Sequence, residues 1–461
     1  TSDIANIELS DIESGTGGFV INGADAFDFS GTSVSAAGDV NGDGYDDVII
    51  GAVGASPNGD YSGSAYVVFG TSDIANIELS DIESGTGGFV INGAEAYDNI
   101  GSSVSAAGDF NGDGYDDVII GASYTSPNGE YSGSTYVVYG KTSTNAIEIS
   151  NLVPSGYGAL INGADAGDSS GKSVSAAGDV NGDGYDDVII SATGADSNGD
   201  SSGSTYVVFG KNEVFVEIDL SDFESGMDNS GFVINGVDAG DSIGDSVAAG
   251  DINGDGLDDV IIGAVEAAPN GEYSGSTYVV FGTSDTDNIE LSDIESGTGG
   301  FVINGVDELD LSGVSVSAAG DVNGDGLDDV IIGALYADPN GSDSGSAYVV
   351  FGTTDTSAIE LSDLEAGTGN GFVINGAEND HGAHGIGKIV SAAGDFNGDG
   401  LDDVIIGDRY ATNGNGEESA GKSYIVFGKA STNAIEISSL LPNGYGAVIH
   451  GADAGDSSGK S

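Results

Sequence analysis

The chain has 461 residues, of which 38% are hydrophobic, so it is long enough to bury a large core. It carries 76 Asp and Glu against 8 Lys and Arg, a formal net charge of −68, which argues against nucleic acids and anionic membranes as partners and favours cations. The absence of cysteine excludes disulfides and thiolate metal sites, and no apolar run is long enough to insert into a membrane.

The first residues, Thr1 to Asp3, contain neither the basic segment nor the apolar stretch of a signal peptide, so we expect a removed leader or an excerpt. Residues 6–12 alternate apolar and polar side chains, which predicts a half-exposed edge strand that covers the rim of a larger unit. No helical pattern is evident in the repeating unit that follows.

Four short strands are predicted in the first unit, each bounded by turn residues. The first covers residues 18–23, and the second, over 33–38, consists of small residues. The third, over 47–51, contains a continuous Val-Ile-Ile run typical of a strand buried on both faces. The fourth covers 64–70 and follows a Pro-Asn-Gly-Asp turn.

An acidic motif, Asp-x-Asn-Gly-Asp-Gly-x-Asp-Asp, divides the chain into repeats with spacings of 70, 70, 72, 70 and 74 residues. A period this long, filled by short strands, predicts propeller blades or a solenoid. Because the small-residue strand suits the crowded axis of a propeller, we predict an all-β chain, a β-propeller of four-stranded blades. The six motifs begin at Asp39, Asp109, Asp179, Asp251, Asp321 and Asp395.

The segments Ile49-Ile50-Gly51-Ala52 and Val68-Phe69-Gly70 resemble the signatures of FG-GAP repeats, the blades of the integrin α-subunit propeller and of many bacterial surface proteins. One departure is Val53, where such repeats carry proline. The resemblance implies one propeller over 1–461, which divides into an N-terminal outer strand, 1–32, and the repeats 33–102, 103–172, 173–244, 245–314, 315–388 and 389–461, the last with a C-terminal outer strand.

The ends leave the closure of the propeller open. There are six complete acidic motifs but seven outer-strand segments, since residues 446–451 repeat residues 18–23. FG-GAP propellers usually have seven blades, the last completed by the N-terminus. Three alternatives follow: a six-bladed ring with one free edge, a seven-bladed ring that lacks its last strands, or a filament in which the spare strand completes a neighbouring copy.

The acidic motif predicts a calcium site in each complete repeat, about six in all. Calcium takes six to eight hard oxygen ligands, and alternate residues of a loop can converge on one ion. In the first loop Asp39, Asn41 and Asp43 supply side-chain oxygens, Tyr45 its backbone carbonyl, and Asp47 closes the shell. Asp46 is predicted to point away into solvent.

The same five positions are predicted as ligands in every copy, with Leu in place of Tyr in the last three because only a carbonyl is needed. The remaining ligands are Asp109, Asn111, Asp113, Tyr115, Asp117; Asp179, Asn181, Asp183, Tyr185, Asp187; Asp251, Asn253, Asp255, Leu257, Asp259; Asp321, Asn323, Asp325, Leu327, Asp329; and Asp395, Asn397, Asp399, Leu401 and Asp403.

A metal-free interpretation is that Asn-Gly and Asp-Gly simply form hairpin turns. Turn chemistry does not explain three fixed Asp per motif, and magnesium or manganese would not need so many protein oxygens. Calcium in these loops would be structural, as in extracellular modules.

The sequence contains few candidate catalytic residues, because the chain has three histidines, no cysteine and no Ser-His-Asp grouping. The sequence predicts an extracellular or cell-surface scaffold or adhesion protein without enzyme activity, whose partners are calcium and a protein or glycan surface, copies of itself included. A carbohydrate-binding propeller is the alternative, because the Pro-Asn-Gly loops display tyrosines such as Tyr131 and Tyr273; packing of these rings on the neighbouring blade is the simpler interpretation. A propeller lyase or phospholipase-associated enzyme and a protein adapted to a salt-rich cytoplasm are further alternatives.

Overall fold

The protein is described by a computed structural model that covers residues 6–72, 75–212, 217–377, 385–413 and 415–461. The chain divides into two compact units, each with three five-stranded sheets. One unit comprises 17–244 and 283–290 and holds blades 1 to 3; the other comprises 1–16, 245–282 and 291–461 and holds blades 4 to 6.

Each sheet is a propeller blade of four antiparallel strands, as predicted, with a short fifth strand that pairs in parallel with the outer one. The inner strands are Ser30–Gly38, Ser103–Gly108, Val174–Gly178, Val247–Gly250, Ser312–Gly320 and Ile389–Gly394. The second strands are Asp47–Ala52, Asp117–Ala122, Asp187–Ala192, Asp259–Ala264, Asp329–Ala334 and Asp403–Asp408.

The third strands are Ser64–Val68, Ser134–Val138, Ser204–Val208, Ser276–Val280, Ser346–Val350 and Lys422–Val426. The outer strands are Gly88–Asn92, Gly158–Asn162, Gly231–Asn235, Gly300–Asn304, Gly371–Asn375 and Gly446–His450. The fifth strands, in blade order, are Ile147–Glu148, Glu217–Asp219, Ile289–Glu290, Ile359–Glu360, Ile435–Glu436 and Ile7–Glu8.

The segments between blades differ from the prediction of an edge strand over 6–12, which is correct only for Ile7–Glu8. The Leu-Ser-Asp-Ile-Glu sequence that follows is a helix, because its two apolar residues, three apart, also fit one face of a helical turn; Leu79 and Ile82 are both buried in this way. The helices are Leu9–Glu13, Leu79–Glu83, Leu152–Ser155, Leu220–Glu224, Leu291–Glu295, Leu361–Glu365 and Leu440–Asn443, with 3-10 turns at Ile149–Asn151 and Ile437–Ser439.

The N-terminal copy of the outer strand is shorter than the others. Only Ile21–Asn22 is a strand, and it pairs in parallel with Ile77–Glu78 in a two-stranded sheet. The C-terminal copy, Gly446–His450, completes blade 6. No helix in the described part of the chain is long and apolar enough to cross a lipid bilayer.

The core lies between neighbouring blades of each unit. Ile49 of blade 1 and Ile120 of blade 2 are fully buried in one cluster with Val67 and Val138, as expected for strands covered on both faces. The predicted small-residue inner strand is also present, and its last residue, Gly38, has φ +70° at a register shift opposite Asp47. This bulge redirects the chain into the acidic loop.

Candidate cation-binding loops

Each acidic motif forms the loop between the inner and second strands of its blade. In blade 1 the two carboxylate oxygens of Asp39 accept hydrogen bonds from the backbone N–H groups of Asp43 and Gly44, both at 2.9 Å. Gly44 has φ +87°, in the left-handed region that favours glycine. The first Asp therefore holds the loop closed around its own side chain.

The last Asp of the motif is buried and ties the loop to the end of the third strand. Asp47 is 1% exposed; it accepts from Val40 N–H at 3.0 Å and from Gly70 N–H at 2.7 Å. The bond to the glycine of the Phe-Gly signature, or of its Tyr-Gly counterpart in blade 2, recurs at 2.8 to 2.9 Å in the other blades: Asp117 with Gly140, Asp187 with Gly210, Asp259 with Gly282, Asp329 with Gly352 and Asp403 with Gly428.

These buried carboxylates are electrostatically strained. Desolvation by burial raises the pKa of Asp47 to about 6; the two backbone N–H bonds lower it, and the carboxylates of Asp43 and Asp39 raise it further. For the same reasons the pKa values of Asp117 and Asp187 rise to about 8 and those of Asp259 and Asp329 to about 7. A bound cation would relieve this strain by restoring a counter-charge.

The Asn of the motif supplies the second indication of a cation. Asn41 is 8% exposed, and its Nδ2 atom has no hydrogen-bond partner among the described residues. In four other loops the corresponding nitrogen donates to the buried carboxylate: Asn111 to Asp117 at 3.3 Å, Asn253 to Asp259 at 3.1 Å, Asn323 to Asp329 at 3.2 Å and Asn397 to Asp403 at 3.3 Å. Amide oxygen and nitrogen are assigned from their hydrogen-bond partners, and the Nδ2 of Asn41 has none. The side chain of Asn41 therefore fits equally well in the flipped orientation, with its oxygen facing a cation.

The predicted ligands of each motif share one loop, but their side chains do not point to a common centre. In the described ranges, no three His, Cys, Asp or Glu side chains lie close enough together to hold a metal ion. The carboxylates of Asp39 and Asp43 accept backbone N–H groups within the loop instead. The donor set, hard oxygens on a closed backbone loop, fits calcium, although these side chains would have to rotate to bind one ion.

Two positions of the motif contact the neighbouring blade, which the sequence did not reveal. Asp46 itself is exposed, in line with its predicted orientation, but its counterpart Asp116 is half-buried and accepts a hydrogen bond from the N–H of Asp39 in the preceding blade. The seventh residue of the motif, Tyr115, also packs against the preceding blade, since a Cβ on Gly42 would lie 2.4 Å from its ring. An apolar side chain suffices for this contact, and Leu327 makes it with Gly254 in the later repeats.

The Asn of the Pro-Asn-Gly loops anchors the blade. Asn58 Nδ2 donates to Glu148 Oε2 at 2.8 Å, and Asn92 Nδ2 donates to Oε1 of the same residue at 2.9 Å. The glutamate thus clasps the outer strand and the loop together. The equivalent pairs in later blades involve Glu290, Glu360 and Glu436.

The tyrosines of these loops are half exposed. Tyr61 is 46% exposed and its ring stacks on that of Tyr97, with centroids 6.3 Å apart and an interplanar angle of 15°. Tyr131 and Tyr273 are 49% and 37% exposed. Packing of these rings on a neighbouring segment is therefore only partial. His381 and His384, which lie three residues apart in a glycine-rich loop and are expected to be polar surface rather than a metal site, lie outside the described residues.

Two cavities occupy equivalent places in blades 1 and 3. The first, of about 630 Å³, is lined by Asp25, Asp28 and Glu83 together with the rings of Phe27 and Tyr61. The second, of about 310 Å³, has the same acidic lining, from Asp165, Asp168 and Glu224, but no aromatic ring.

Comparison with known proteins agrees with this geometry. The FG-GAP repeat model matches about half the chain, at residues 30–68, 100–138, 170–208, 243–280, 312–350 and 389–426. Each match begins at or beside an inner strand and ends with a third strand. The chain therefore belongs to the FG-GAP repeat family, and the predictions of this family and of an all-β fold built from propeller blades are confirmed, with six five-stranded blades in the described residues.

Among its relatives, the chain is 30% identical over 256 residues to Integrin alpha pat-2 of Caenorhabditis briggsae, which covers 51% of the chain and 17% of the relative. It is 28% identical over 176 residues to Integrin alpha-PS3 of Drosophila melanogaster, 38% of the chain and 14% of that protein. It is 28% identical over 203 residues to Phosphatidylinositol-glycan-specific phospholipase D of Bos taurus, a match that covers 43% of the chain and 22% of that protein. The matched segments thus span less than a quarter of each relative's own length.

Proposed function

We propose that this protein is a calcium-stabilised extracellular scaffold or adhesion propeller without enzyme activity. The observation that carries the proposal is the row of buried carboxylates, Asp47, Asp117, Asp187, Asp259 and Asp329, each beside two further carboxylates of its own loop. A chain of net charge −68 that repeats this arrangement needs cations to fold stably.

Calcium is the cation that this donor set favours. It accepts several carboxylate, amide and carbonyl oxygens at once, whereas magnesium retains most of its water. Extracellular calcium modules bind with Kd of about 10⁻⁴ to 10⁻³ M. At a free concentration ten times the tighter value, each site contributes roughly 1.4 kcal/mol, and one site in each of the six motifs on the order of 8 kcal/mol. That is comparable to the whole stability of a domain.

The scaffold role is supported by the relatives and by the sameness of the repeats. Integrin alpha subunits are among the similar proteins, which favours adhesion or another protein–protein contact at a cell surface. A phospholipase is also among them, but this chain repeats the same acidic loops in all six blades rather than concentrating chemistry in one. Secretion and an extracellular site follow from the need for millimolar calcium.

Counting bound ions tests this proposal. The purified chain, dialysed against 1 mM calcium and analysed by atomic emission, is expected to carry about one calcium per acidic loop. A variant with Asp187 and Asp183 both changed to Ala should lose one ion. A wild-type chain that retains less than one calcium per molecule would contradict the proposal.

Assembly by strand exchange is the finer proposal. The N-terminal outer segment pairs through Ile21–Asn22 with Ile77–Glu78 on one edge only, and no other described strand pairs with it. In blade 1 the outer strand Gly88–Asn92 has partners on both edges. The unpaired edge of Ile21–Asn22 can therefore accept a third strand from another copy of the chain. A monomeric mass by light scattering at all protein concentrations would contradict this proposal.

Carbohydrate binding is the second candidate, and the blade 1 cavity favours it. Phe27 is 80% exposed and lines the same cavity as Tyr61, so two aromatic residues and several carboxylates share one space of about 630 Å³. Sugars bind to such faces through their apolar C–H groups while carboxylates accept from their hydroxyls. Blade 3 provides the matched control, because Gly167 and Ser201 stand where blade 1 has Phe27 and Tyr61. Loss of a neutral glycan-array signal in Phe27→Gly, Tyr61→Ser would support this candidate, and the absence of any signal in wild type would exclude it.

A further inference from the structure

The eighth residue of the acidic motif reaches back to the first residue of the motif in the preceding blade. Asp116 Oδ2 accepts the backbone N–H of Asp39 at 2.7 Å, although the two residues are 77 positions apart. The same bond joins Asp186 to Asp109 at 2.7 Å, Asp328 to Asp251 at 3.2 Å and Asp402 to Asp321 at 2.9 Å.

The backbone of the receiving loop is shaped for this carboxylate. Gly38, which precedes Asp39, has φ +70°, and a Cβ there would lie 2.1 Å from Asp116 Oδ2. Gly108 and Gly320 face Asp186 and Asp402 in the same way, at 2.2 and 2.4 Å. A side chain on these glycines would therefore expel the carboxylate from its place.

The contact holds the first predicted cation ligand from a second direction. The side chain of Asp39 is fixed by the N–H groups of Asp43 and Gly44, and its backbone by Asp116. Groups that orient a metal ligand in this way typically contribute about 10- to 100-fold to metal affinity.

We propose that Asp116, Asp186, Asp328 and Asp402 are positioning residues, each of which sets the cation affinity of the loop in the preceding blade. This inference rests on the cation binding proposed above. It makes neighbouring loops interdependent, since a change at the eighth position of one motif weakens binding in a different motif. It also explains why these Asp residues recur without being ligands of their own loop.

The sixth loop provides an internal contrast. Asp395 and Gly394 are exposed, and a Cβ on Gly394 would have no atom within 4 Å. Asp46, the eighth residue of the first motif, is exposed as well. The loop that begins at Asp395 is therefore expected to bind calcium more weakly than the loops that begin at Asp39 and Asp109, and Asp46 provides a matched control for Asp116.

Calorimetric titration of the full chain with calcium tests the inference. Asp116→Ala is expected to weaken one site about tenfold. Asp116→Asn, which keeps an acceptor oxygen, should recover most of that affinity, and Asp46→Ala should leave all sites unchanged. Equal losses in Asp116→Ala and Asp46→Ala would overturn the inference, because the effect would then come from charge alone.

Double variants locate the affected site. In a chain whose first loop is disabled by Asp43→Ala, the addition of Asp116→Ala should change nothing further. In a chain whose second loop is disabled by Asp113→Ala, it should still cost about tenfold in one remaining site. The reverse pattern would mean that Asp116 serves its own loop. A wild-type chain that binds no calcium refutes the proposed function; normal binding in Asp116→Ala refutes only this inference.

Discussion

The carboxylate of Asp47 and the backbone N–H of Gly70 are joined by a hydrogen bond of 2.7 Å. The bond connects the end of the acidic loop to the Phe-Gly turn that ends the third strand. A Cβ on Gly70 would lie 2.3 Å from the backbone oxygen of Asp46, so the turn requires glycine. The two sequence signatures of the repeat, the acidic motif and the Phe-Gly pair, are thus two halves of one contact.

The two backbone hydrogen bonds accepted by the last Asp of the motif are expected to stabilise the fold even without calcium. Asp187 is fully buried and accepts from Gly210 N–H at 2.9 Å and Val180 N–H at 3.0 Å. Asp187→Ala leaves both N–H groups unpaired, whereas Asp187→Asn keeps an acceptor oxygen and removes the buried charge, so in EDTA the free energy of unfolding should be about 2 kcal/mol lower for the Ala variant than for the Asn variant. Urea denaturation measures this difference. Asp183→Ala compared with Asp183→Asn, on the exposed part of the same loop, is the control, and an equal difference there would contradict the expectation.

The Glu148 clasp is expected to hold blade 1 together. Glu148→Ala removes the acceptors of Asn58 and Asn92, both charge-assisted bonds, and should lower the free energy of unfolding by about 1–2 kcal/mol. Glu148→Gln keeps one acceptor oxygen and should lose less. Glu130→Ala, in an exposed loop, should be neutral in the same denaturation experiment. A neutral Glu148→Ala would show that the clasp contributes nothing to stability.

Acid is expected to stabilise the calcium-free protein through Asp310. Burial raises the pKa of Asp310 to about 6, and the carboxylates of Asp307, Glu365 and Asp338 raise it further, although the N–H of Asp307 lowers it. Because this folded pKa exceeds the ordinary 3.8, the folded chain binds the proton more tightly than the unfolded chain between about pH 4 and pH 6. Stability therefore falls as pH rises through that window.

Thermal melts in EDTA across pH 4 to 7.5 measure this effect. Asp310→Asn should raise the melting temperature by about 2 °C or more at pH 7.5 and should give no advantage at pH 4. Asp287→Asn, at an exposed position, is the control. An Asp310→Asn melt that runs parallel to wild type at every pH would contradict this assignment.

The repeat period and the short-range patterns predicted the four antiparallel strands of each blade correctly, because these strands follow one another along the chain; only the short fifth strand comes from a distant segment. The Val-Ile-Ile run over 48–50 lies in a strand covered on both faces, and the glycine-rich acidic loop lies where its turn residues indicated. The helix Leu79–Glu83 was missed because five residues are too few to distinguish helical from alternating spacing.

Contacts between distant repeats could not be predicted. The parallel pairing of Ile147–Glu148 with blade 1 and the bond from Asp39 to Asp116 join residues that lie 56 and 77 positions apart. A single sequence with near-identical repeats does not indicate which copies meet. For the same reason Asp116 appeared equivalent to the exposed Asp46, and the calcium ligands themselves remain a prediction.

Thermal unfolding with and without calcium tests the central claim most directly. The account predicts that 1 mM CaCl₂ raises the melting temperature of the wild-type chain by more than about 10 °C relative to EDTA, whereas MgCl₂ at the same concentration and KCl at matched ionic strength do much less. A melting temperature that is unchanged by EDTA, or that follows KCl rather than CaCl₂, would contradict a structural role for calcium in the acidic loops.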